Sequence, residues 1–251
     1  MLEWRFHADP SSFDRYYYSR AGYIGGTERF HQLCQSRFAN GGRILEIGAG
    51  PVNPTTAFLA SLGPVTGLDV SAEVLTNPNL AEARVYDEIK MPLSGEAFDL
   101  CVSNYVLEHV AEPASHFQEV FRVLKPGAAY CFRTPNRWHY VTMAATRMPH
   151  SIHLRLANKL RALAADAHDP WPTVYRANTL NKLRHWARRS GLLPVELRMI
   201  EAGPSYGAAH PLLFYPMMVY ERLVNSSDLF SLFRVNILGT FRKPGSPAAT
   251  A

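Results

Sequence analysis

Cysteine is scarce in this chain of 251 residues. Cys34, Cys101 and Cys131 are its only three, and no two form a Cys-x-x-Cys pair. A disulfide framework and a cysteine-based zinc site are therefore excluded, and a reducing compartment is expected. Long apolar runs are missing as well. The longest, Pro211 to Tyr220, is about half of what a membrane-spanning helix needs, and it contains Pro216. The opening residues, Met1 to Asp9, lack the basic segment followed by an apolar stretch that marks a secretory signal, so a cytoplasmic location is expected. What is present suffices for a full core. With 47% apolar and 19% charged residues, the chain reads as one α/β domain carrying an accessory lid.

Short β-branched or apolar runs bounded by Gly, Pro or Asp recur at Arg43–Ile47, Val65–Asp69, Ala83–Tyr86, Phe98–Ser103 and Ala128–Thr134, and they read as buried strands. Helical patterns alternate with them. One begins at Pro54. Another runs from Glu112-Pro113 through Phe117, Val120, Phe121 and Leu124 to a stop at Pro126-Gly127. Such alternation predicts a Rossmann-like, doubly wound, mainly parallel sheet, here of seven strands, which binds ligands outside the carboxyl ends of its strands. Residues 1–39 read as an N-terminal helical cap and 40–134 as the core. From Pro135 to Arg176 the rhythm breaks, so residues 135–178 are expected to form an inserted lid with an acceptor pocket. Residues 179–251 then return to the core, with a helix at Thr179–Ser190 capped by Asn178 and stopped by Gly191, a strand at Leu193–Ile200, an apolar segment broken at Pro216, and a last strand at Phe233–Phe241.

Glu46-Ile-Gly48-Ala-Gly50 follows the first strand, where glycines let backbone N–H groups approach a ligand. Asn53 stands where a pyrophosphate-binding loop would place its third glycine, which disfavours a dinucleotide. Asp69 ends the second strand, 23 positions after Glu46, where a carboxylate can accept from both hydroxyls of a ribose. Asp87, with Glu88 and Ile89, follows the third strand, where an acid can accept from an adenine amine while Ile89 packs on the ring. Three acidic positions suit a cationic, phosphate-free nucleoside.

In that order, over about residues 40–135, the chain resembles the class I S-adenosylmethionine (SAM) dependent methyltransferases. Glu46-x-Gly48-x-Gly50 resembles the family's first motif, Asp69 its ribose-binding acid, and Asp87 to Leu93 its adenine-side loop. Phe98-Asp-Leu followed by Ser103-Asn-Tyr-Val-Leu-Glu-His109 resembles its fourth motif, and Arg122-Val-Leu-Lys-Pro-Gly127 the signature before strand five. Ala128 departs from the double glycine usual there. The resemblance implies SAM as cofactor, S-adenosylhomocysteine as product, and cofactor contacts at Glu46, Gly48, Gly50, Asn53, Asp69, Val70, Asp87, Glu88, Asn104, Tyr105 and His109.

The acceptor side is read from chemistry alone. His139 follows the fifth strand and is the first candidate for a general base, with His109 second. Tyr16, Tyr17 and Arg20 lie in an aromatic and basic segment before the core. With Asn136, His139, Trp171, Tyr175 and Arg176 they form the expected acceptor set. His150 and His153 lack the company a metal site needs, so no metal is expected. Lys182, Arg184, Arg188 and Arg189 read as a solvated face.

The reading is thus an enzyme that moves a methyl group from SAM to O or N of a small molecule. The alternatives are a lipid-linked or RNA acceptor and an inactive SAM-binding module. A nicotinamide oxidoreductase is disfavoured by Asn53. Nucleic acid is disfavoured by Ser103-Asn-Tyr-Val, which lacks the Pro-Pro-aromatic catalytic loop. The segment Leu212–Leu223 leaves peripheral membrane contact open, and nothing fixes the oligomeric state. Charge adds one expectation: residues 1–132 hold 10 basic and 15 acidic side chains, whereas 133–251 hold 16 and 6. An acidic cofactor half followed by a basic half predicts an anionic or aromatic acceptor.

Overall fold

The computed structural model of the chain describes residues 14–39, 41–147, 172–204 and 211–245. His150, His153 and Trp171, and most of the expected lid, fall outside them. The described helices are α1 (Gly26–Ser36), α2 (Pro54–Leu62), α3 (Pro113–Val123), α4 (Tyr140–Arg147), α5 (Leu180–Ser190) and α6 (Pro211–Asn225). The strands are β1 (Ile44–Ile47), β2 (Val65–Asp69), β3 (Glu82–Val85), β4 (Phe98–Asn104), β5 (Leu124–Pro135), β6 (Leu193–Ile200) and β7 (Asn236–Arg242). They form one sheet in the order β3-β2-β1-β4-β5-β7-β6. The pairs from β3 to β5 are parallel, and β7 lies antiparallel to β5.

This order follows from the residues. Every side chain of β1 is buried, as expected of a central strand covered on both faces. Parallel neighbours require helical crossovers, and α2 supplies the one between β1 and β2. Its start is built by Asn53, whose Oδ1 accepts from the N–H groups of Thr55 and Thr56 at 2.8 and 2.9 Å while Pro54 takes the first turn. Because β2, β1, β4 and β5 run parallel in that order, their ends share one edge of the sheet. Ile47 pairs there with Leu68 and Ser103, and Asn104 with Arg133.

The chain divides into two compact units, and the division differs from the expected one. The sheet unit comprises Thr27–Pro135, Thr173–Arg198 and Asn236–Ala251. The accessory unit comprises Met1–Gly26, Asn136–Pro172 and Met199–Val235. The expected N-terminal cap is therefore cut at Gly26, and α1 belongs with the sheet because Phe30 and Cys34 are buried in its core. The stretch 199–235, expected as core, groups with the accessory unit instead. There Tyr17 donates to Oε2 of Glu221 at 3.1 Å, and Asn225 donates to Oε1 of Glu221 at 2.7 Å and to the Glu201 carbonyl at 3.0 Å.

Three further expectations change. β5 starts at Leu124 rather than Ala128: between its pairs with Phe98 and Leu100 the partner advances from Leu124 to Ala129, so Pro126-Gly127 is a bulge within a strand and not a stop. The cap of α5 is Thr179, whose Oγ1 accepts from the Lys182 N–H. Asn178 is buried and donates instead to Thr134 Oγ1 at 2.6 Å and the Pro135 carbonyl at 3.1 Å. Finally, α6 runs unbroken through Pro216. Pro216 has no N–H to give to the helix ladder, and the residue one turn before it, Leu212, is 78% exposed. Gly191, by contrast, ends α5 in the left-handed conformation as expected.

Candidate functional site

The cofactor residues expected from the sequence gather on the edge where β1, β2 and β4 end. Asp69 is its organiser. One carboxylate oxygen accepts from the Gly50 N–H and the other from the Ser71 N–H, each at 2.9 Å, which fixes the side chain and leaves it half-buried. Each oxygen keeps a lone pair for a further donor. Val70 is half-buried beside it.

Glu46 is buried in the middle of the sheet, and its Oε2 atom has no hydrogen-bond partner. Burial pushes its carboxyl up to about 8, against a hydrogen bond from Thr56 and assisted by the nearby Asp69 charge. A buried acceptor left open is costly unless a ligand donor completes it. An acid of this kind beside Asp69 fits a ligand that presents a cationic group.

The glycines work differently from the expectation. Gly48 has φ +73°, and a Cβ there would collide with Cγ2 of Val106. Its N–H and that of Ala49 both donate to the Leu68 carbonyl, at 2.7 and 3.2 Å. The loop's N–H groups thus hold its own shape, and the space saved at Gly48 is filled by Val106. Asn53 is likewise committed: its Nδ2 donates to the Ala49 carbonyl at 2.6 Å and to Thr56 Oγ1 at 2.7 Å, so with its capping oxygen it shapes the loop from within.

Asp87 is exposed and its Oδ1 accepts from the Ile89 and Lys90 N–H groups, which holds its carboxyl below the usual range. Glu88 (φ +66°) completes that turn, and Ile89 is 66% exposed.

After β4, Asn104 donates to Thr55 Oγ1 at 3.0 Å and accepts from Arg133 Nε at 2.8 Å. Tyr105 follows with φ +59°, a strained conformation for a residue with a Cβ. His109 is half-buried in the turn that its N–H closes on the Val106 carbonyl.

The acceptor set falls in both units. Tyr175 (φ +49°) is buried, with its N–H on the Glu108 carbonyl at 3.0 Å. Arg176 donates to the Ala111 carbonyl at 2.6 Å and pairs with Glu112. In the accessory unit, Tyr17 is buried against Phe214 and Tyr23. Asn136 is buried too and spends its amide on the carbonyls of Leu232 and Arg234 and the N–H of Trp138. Tyr16 and Arg20 keep partly open side chains.

His139, the first candidate base, is corrected by its surroundings. It precedes α4, where its Nδ1 accepts from the Val141 N–H at 3.4 Å. Its Nε2 faces Glu201 Oε2 at 3.5 Å, beyond good hydrogen-bonding geometry. The ring is 2% exposed, and burial pushes it down to about 4. Both nitrogens are thus turned into the accessory unit, which makes His139 a helix cap. Glu201 escaped the sequence reading altogether. It is buried, accepts from the Val235 N–H at 2.9 Å, and has its carboxyl raised to about 8 by burial. Among the described residues, no group of three or more His, Cys, Asp or Glu could hold a metal ion.

The family description "Methyltransferase domain" matches residues 45–132. The chain is 34% identical over 113 residues to a malonyl-[acyl-carrier protein] O-methyltransferase of Erwinia billingiae, covering 41% of this chain and 45% of that protein. It is 26% identical over 191 residues to a trans-aconitate 2-methyltransferase of Azoarcus sp., covering 66% and 75%. Among solved structures, an S-adenosylmethionine-dependent methyltransferase of Mesorhizobium loti superposes with a TM-score of 0.52 at 19% identity, over 84% of this chain and 96% of that one. The match to the first of these relatives spans about half of that protein's length. The sheet order, the Gly48–Gly50 turn locked to Asp69, the open acid at Glu46 and the matched segment come together in one place: residues 45–132 match a methyltransferase domain, on a sheet with the fold of the S-adenosylmethionine-dependent methyltransferases.

Proposed function

We propose that the protein transfers a methyl group from SAM to an oxygen of a small anionic acceptor, a carboxylate in the first instance. The observation that carries the cofactor half is the paired acids at the ends of β1 and β2, Glu46 with an unanswered buried oxygen and Asp69 held by two N–H groups. Glu46 and Asp69 would hold the cofactor's cationic and ribose groups. When bound, SAM supplies a methyl group that an acceptor takes by in-line displacement, its sulfur leaving with the electron pair.

The chain's own contribution is then to orient and to exclude water, effects that reach roughly 7–11 kcal/mol for well-aligned partners. A carboxylate attacks as the anion it already is and needs no general base. That suits a chain whose leading base candidate, His139, has both nitrogens turned inward. The basic excess of residues 133–251 favours an anion, and two relatives carry names built on carboxylates, malonyl and aconitate.

The test is calorimetry with S-adenosylhomocysteine followed by transfer of labelled methyl groups. Asp69→Ala is expected to weaken binding by about 1.5–3 kcal/mol, the range for hydrogen bonds to a charged group. Among acceptors, di- and tricarboxylates such as trans-aconitate are expected to be methylated ahead of phenols and amines. Transfer to amines alone would overturn the acceptor class, and no binding of S-adenosylhomocysteine would overturn the whole reading.

One observation favours a second acceptor class. On α6 and the turn after it, Leu212, Val219, Leu223 and Leu229 are between 55% and 80% exposed, an apolar stripe suited to a lipid-borne acceptor. No helix among the described residues is long and apolar enough to cross a membrane, so contact of this kind would be peripheral. The protein is then expected to co-sediment with liposomes, and Val219→Glu to abolish it. Sedimentation equal to a liposome-free control would remove this reading.

A further inference from the structure

The chain holds no acidic residue between Asp169 and Glu196, and within that stretch α5 carries Lys182, Arg184, His185, Arg188 and Arg189. The helix is firmly fixed. Leu183 and Ala187 are buried on its inner side, Thr179 caps its start, and Gly191 ends it beside Phe121 of α3. Because Asn178 bonds Thr134 at the end of β5, α5 starts at the sheet edge that holds Glu46 and Asp69 and runs away from it. Its outer face is a rigid flank of the sheet unit. Asn181, Arg184, His185 and Arg188 share that face at helical spacing, and with Arg189 they line a cleft of about 500 Å³.

Folding alone does not account for this face. Lys182 stands in the first turn, where the helix dipole disfavours a cation, and Arg184 and Arg188 are like charges one turn apart. Among the described residues, no carboxylate lies within ion-pair distance of Lys182, Arg184, Arg188 or Arg189, whereas Arg37, Arg122, Lys125 and Arg198 of the same unit each hold one. Arg189 lies instead over the Trp186 ring, with Cζ 5.9 Å from its centre, and His185 meets the same ring edge-on at 4.8 Å, so the indole steadies two lining side chains.

Guanidinium groups only donate, and no acid tempers the three in this cleft, which suits a compact ligand of several negative charges. Their forks match phosphate oxygens in pairs, and two joined phosphates concentrate that charge in a small volume. The surroundings narrow the class further. None of the chain's exposed large apolar side chains falls within α5, so the face lacks both the apolar centre of a protein interface and the inserting residues of a membrane surface. Cations confined to one helix of 11 residues, with Trp186 already covered by Arg189, also offer neither the long track nor the open stacking platforms that a single-stranded nucleic acid uses.

We propose that the outer face of α5 binds a pyrophosphate group, free or carried on a small molecule, away from the edge where methyl transfer is read. The test is calorimetry on the full chain with inorganic pyrophosphate at physiological ionic strength. A Kd below about 1 mM is expected, with orthophosphate at least tenfold weaker. Uridine diphosphate separates the sources: it binds as tightly or tighter if the group arrives on a larger molecule, and more weakly if free pyrophosphate is the ligand. Arg184→Gln with Arg188→Gln is expected to weaken pyrophosphate tenfold or more, the effect of losing charged hydrogen bonds. Helical content by circular dichroism is expected to be unchanged, and affinity for S-adenosylhomocysteine to stay within about twofold, as for independent sites. Arg184→Lys with Arg188→Lys keeps both charges but not the forks, and is expected to show a smaller loss of pyrophosphate. If the glutamine variant loses helical content, the lysine variant carries the test. A wild-type chain that does not bind pyrophosphate, or a folded glutamine variant that binds it unchanged, would overturn the proposal. Citrate bound as tightly as pyrophosphate would overturn the phosphate class, and single-stranded RNA that pyrophosphate fails to displace would make the face a nucleic-acid surface instead.

Discussion

Gly48→Ala is expected to destabilise the protein by about 2–5 kcal/mol and to remove most of its affinity for S-adenosylhomocysteine. Two separate costs combine. A side chain at φ +73° is forced into the left-handed region, at about 1–2 kcal/mol for a residue with a Cβ. The new methyl group also meets Cγ2 of Val106, a branched side chain with no flexible end to swing away, and overpacking of this kind costs about 1–3 kcal/mol more. The loop cannot yield cheaply, because the Gly48 and Ala49 N–H groups are both bonded to the Leu68 carbonyl and the Gly50 N–H to Asp69. Any shift that relieves Val106 pulls Asp69 out of place, so stability and binding fall together.

Val106→Ala supplies the control. In the Gly48→Ala/Val106→Ala pair the packing cost should vanish and the conformational cost remain, a coupling that a double-mutant cycle in urea measures directly. A single variant within about 0.5 kcal/mol of the wild type would refute the collision, and additive effects in the pair would refute its assignment to Val106.

The loop illustrates what could be read from the residues and what could not. Strand, glycine turn and helix are local patterns, and Glu46, Gly48 and Asp69 announce themselves by position within them. The purpose of Gly48 is not local, because the atom that needs the room belongs to Val106, 58 positions on. The same limit explains the acceptor candidates. His139, Asn136, Tyr17 and Arg176 carry the residue types that bind ligands, but these types also cap helices and satisfy buried carbonyls, and partners such as Val235, Glu221 and Ala111 decide which. Arg133 left a signal that was available: an arginine within an otherwise apolar strand run, Ala128 to Thr134, is a buried cation, and its partners Asn104 and Thr27 come from other elements. The division into units was illegible for a different reason. Residues 199–235 carry no composition shift, and only their contacts with Tyr17 and Asn136 assign them to the accessory unit.

Glu46 gives the second large effect, in the pH dependence of binding. With its carboxyl near 8 in the free protein, it is mostly protonated at pH 7. A ligand that brings a cationic group to the open oxygen favours the carboxylate, so binding must expel the proton. Affinity for S-adenosylhomocysteine is then expected to rise with pH by up to about tenfold per unit, roughly 50-fold between pH 6 and pH 8, and to level off above. Calorimetry at pH 7 in two buffers of different ionisation enthalpy should register the release of close to one proton. Stability runs the opposite way. A folded-state value raised from 4.5 to about 8 contributes stability that is complete below pH 4.5 and is lost as the pH climbs through 8. Glu46→Gln, which cannot titrate, should therefore gain on the wild type in stability across that window while its binding becomes flat with pH and weakest relative to wild type at pH 8. Binding that is independent of pH in the wild type, or that keeps its slope in the glutamine variant, would place the proton elsewhere and remove Glu46 from contact with the ligand's cation.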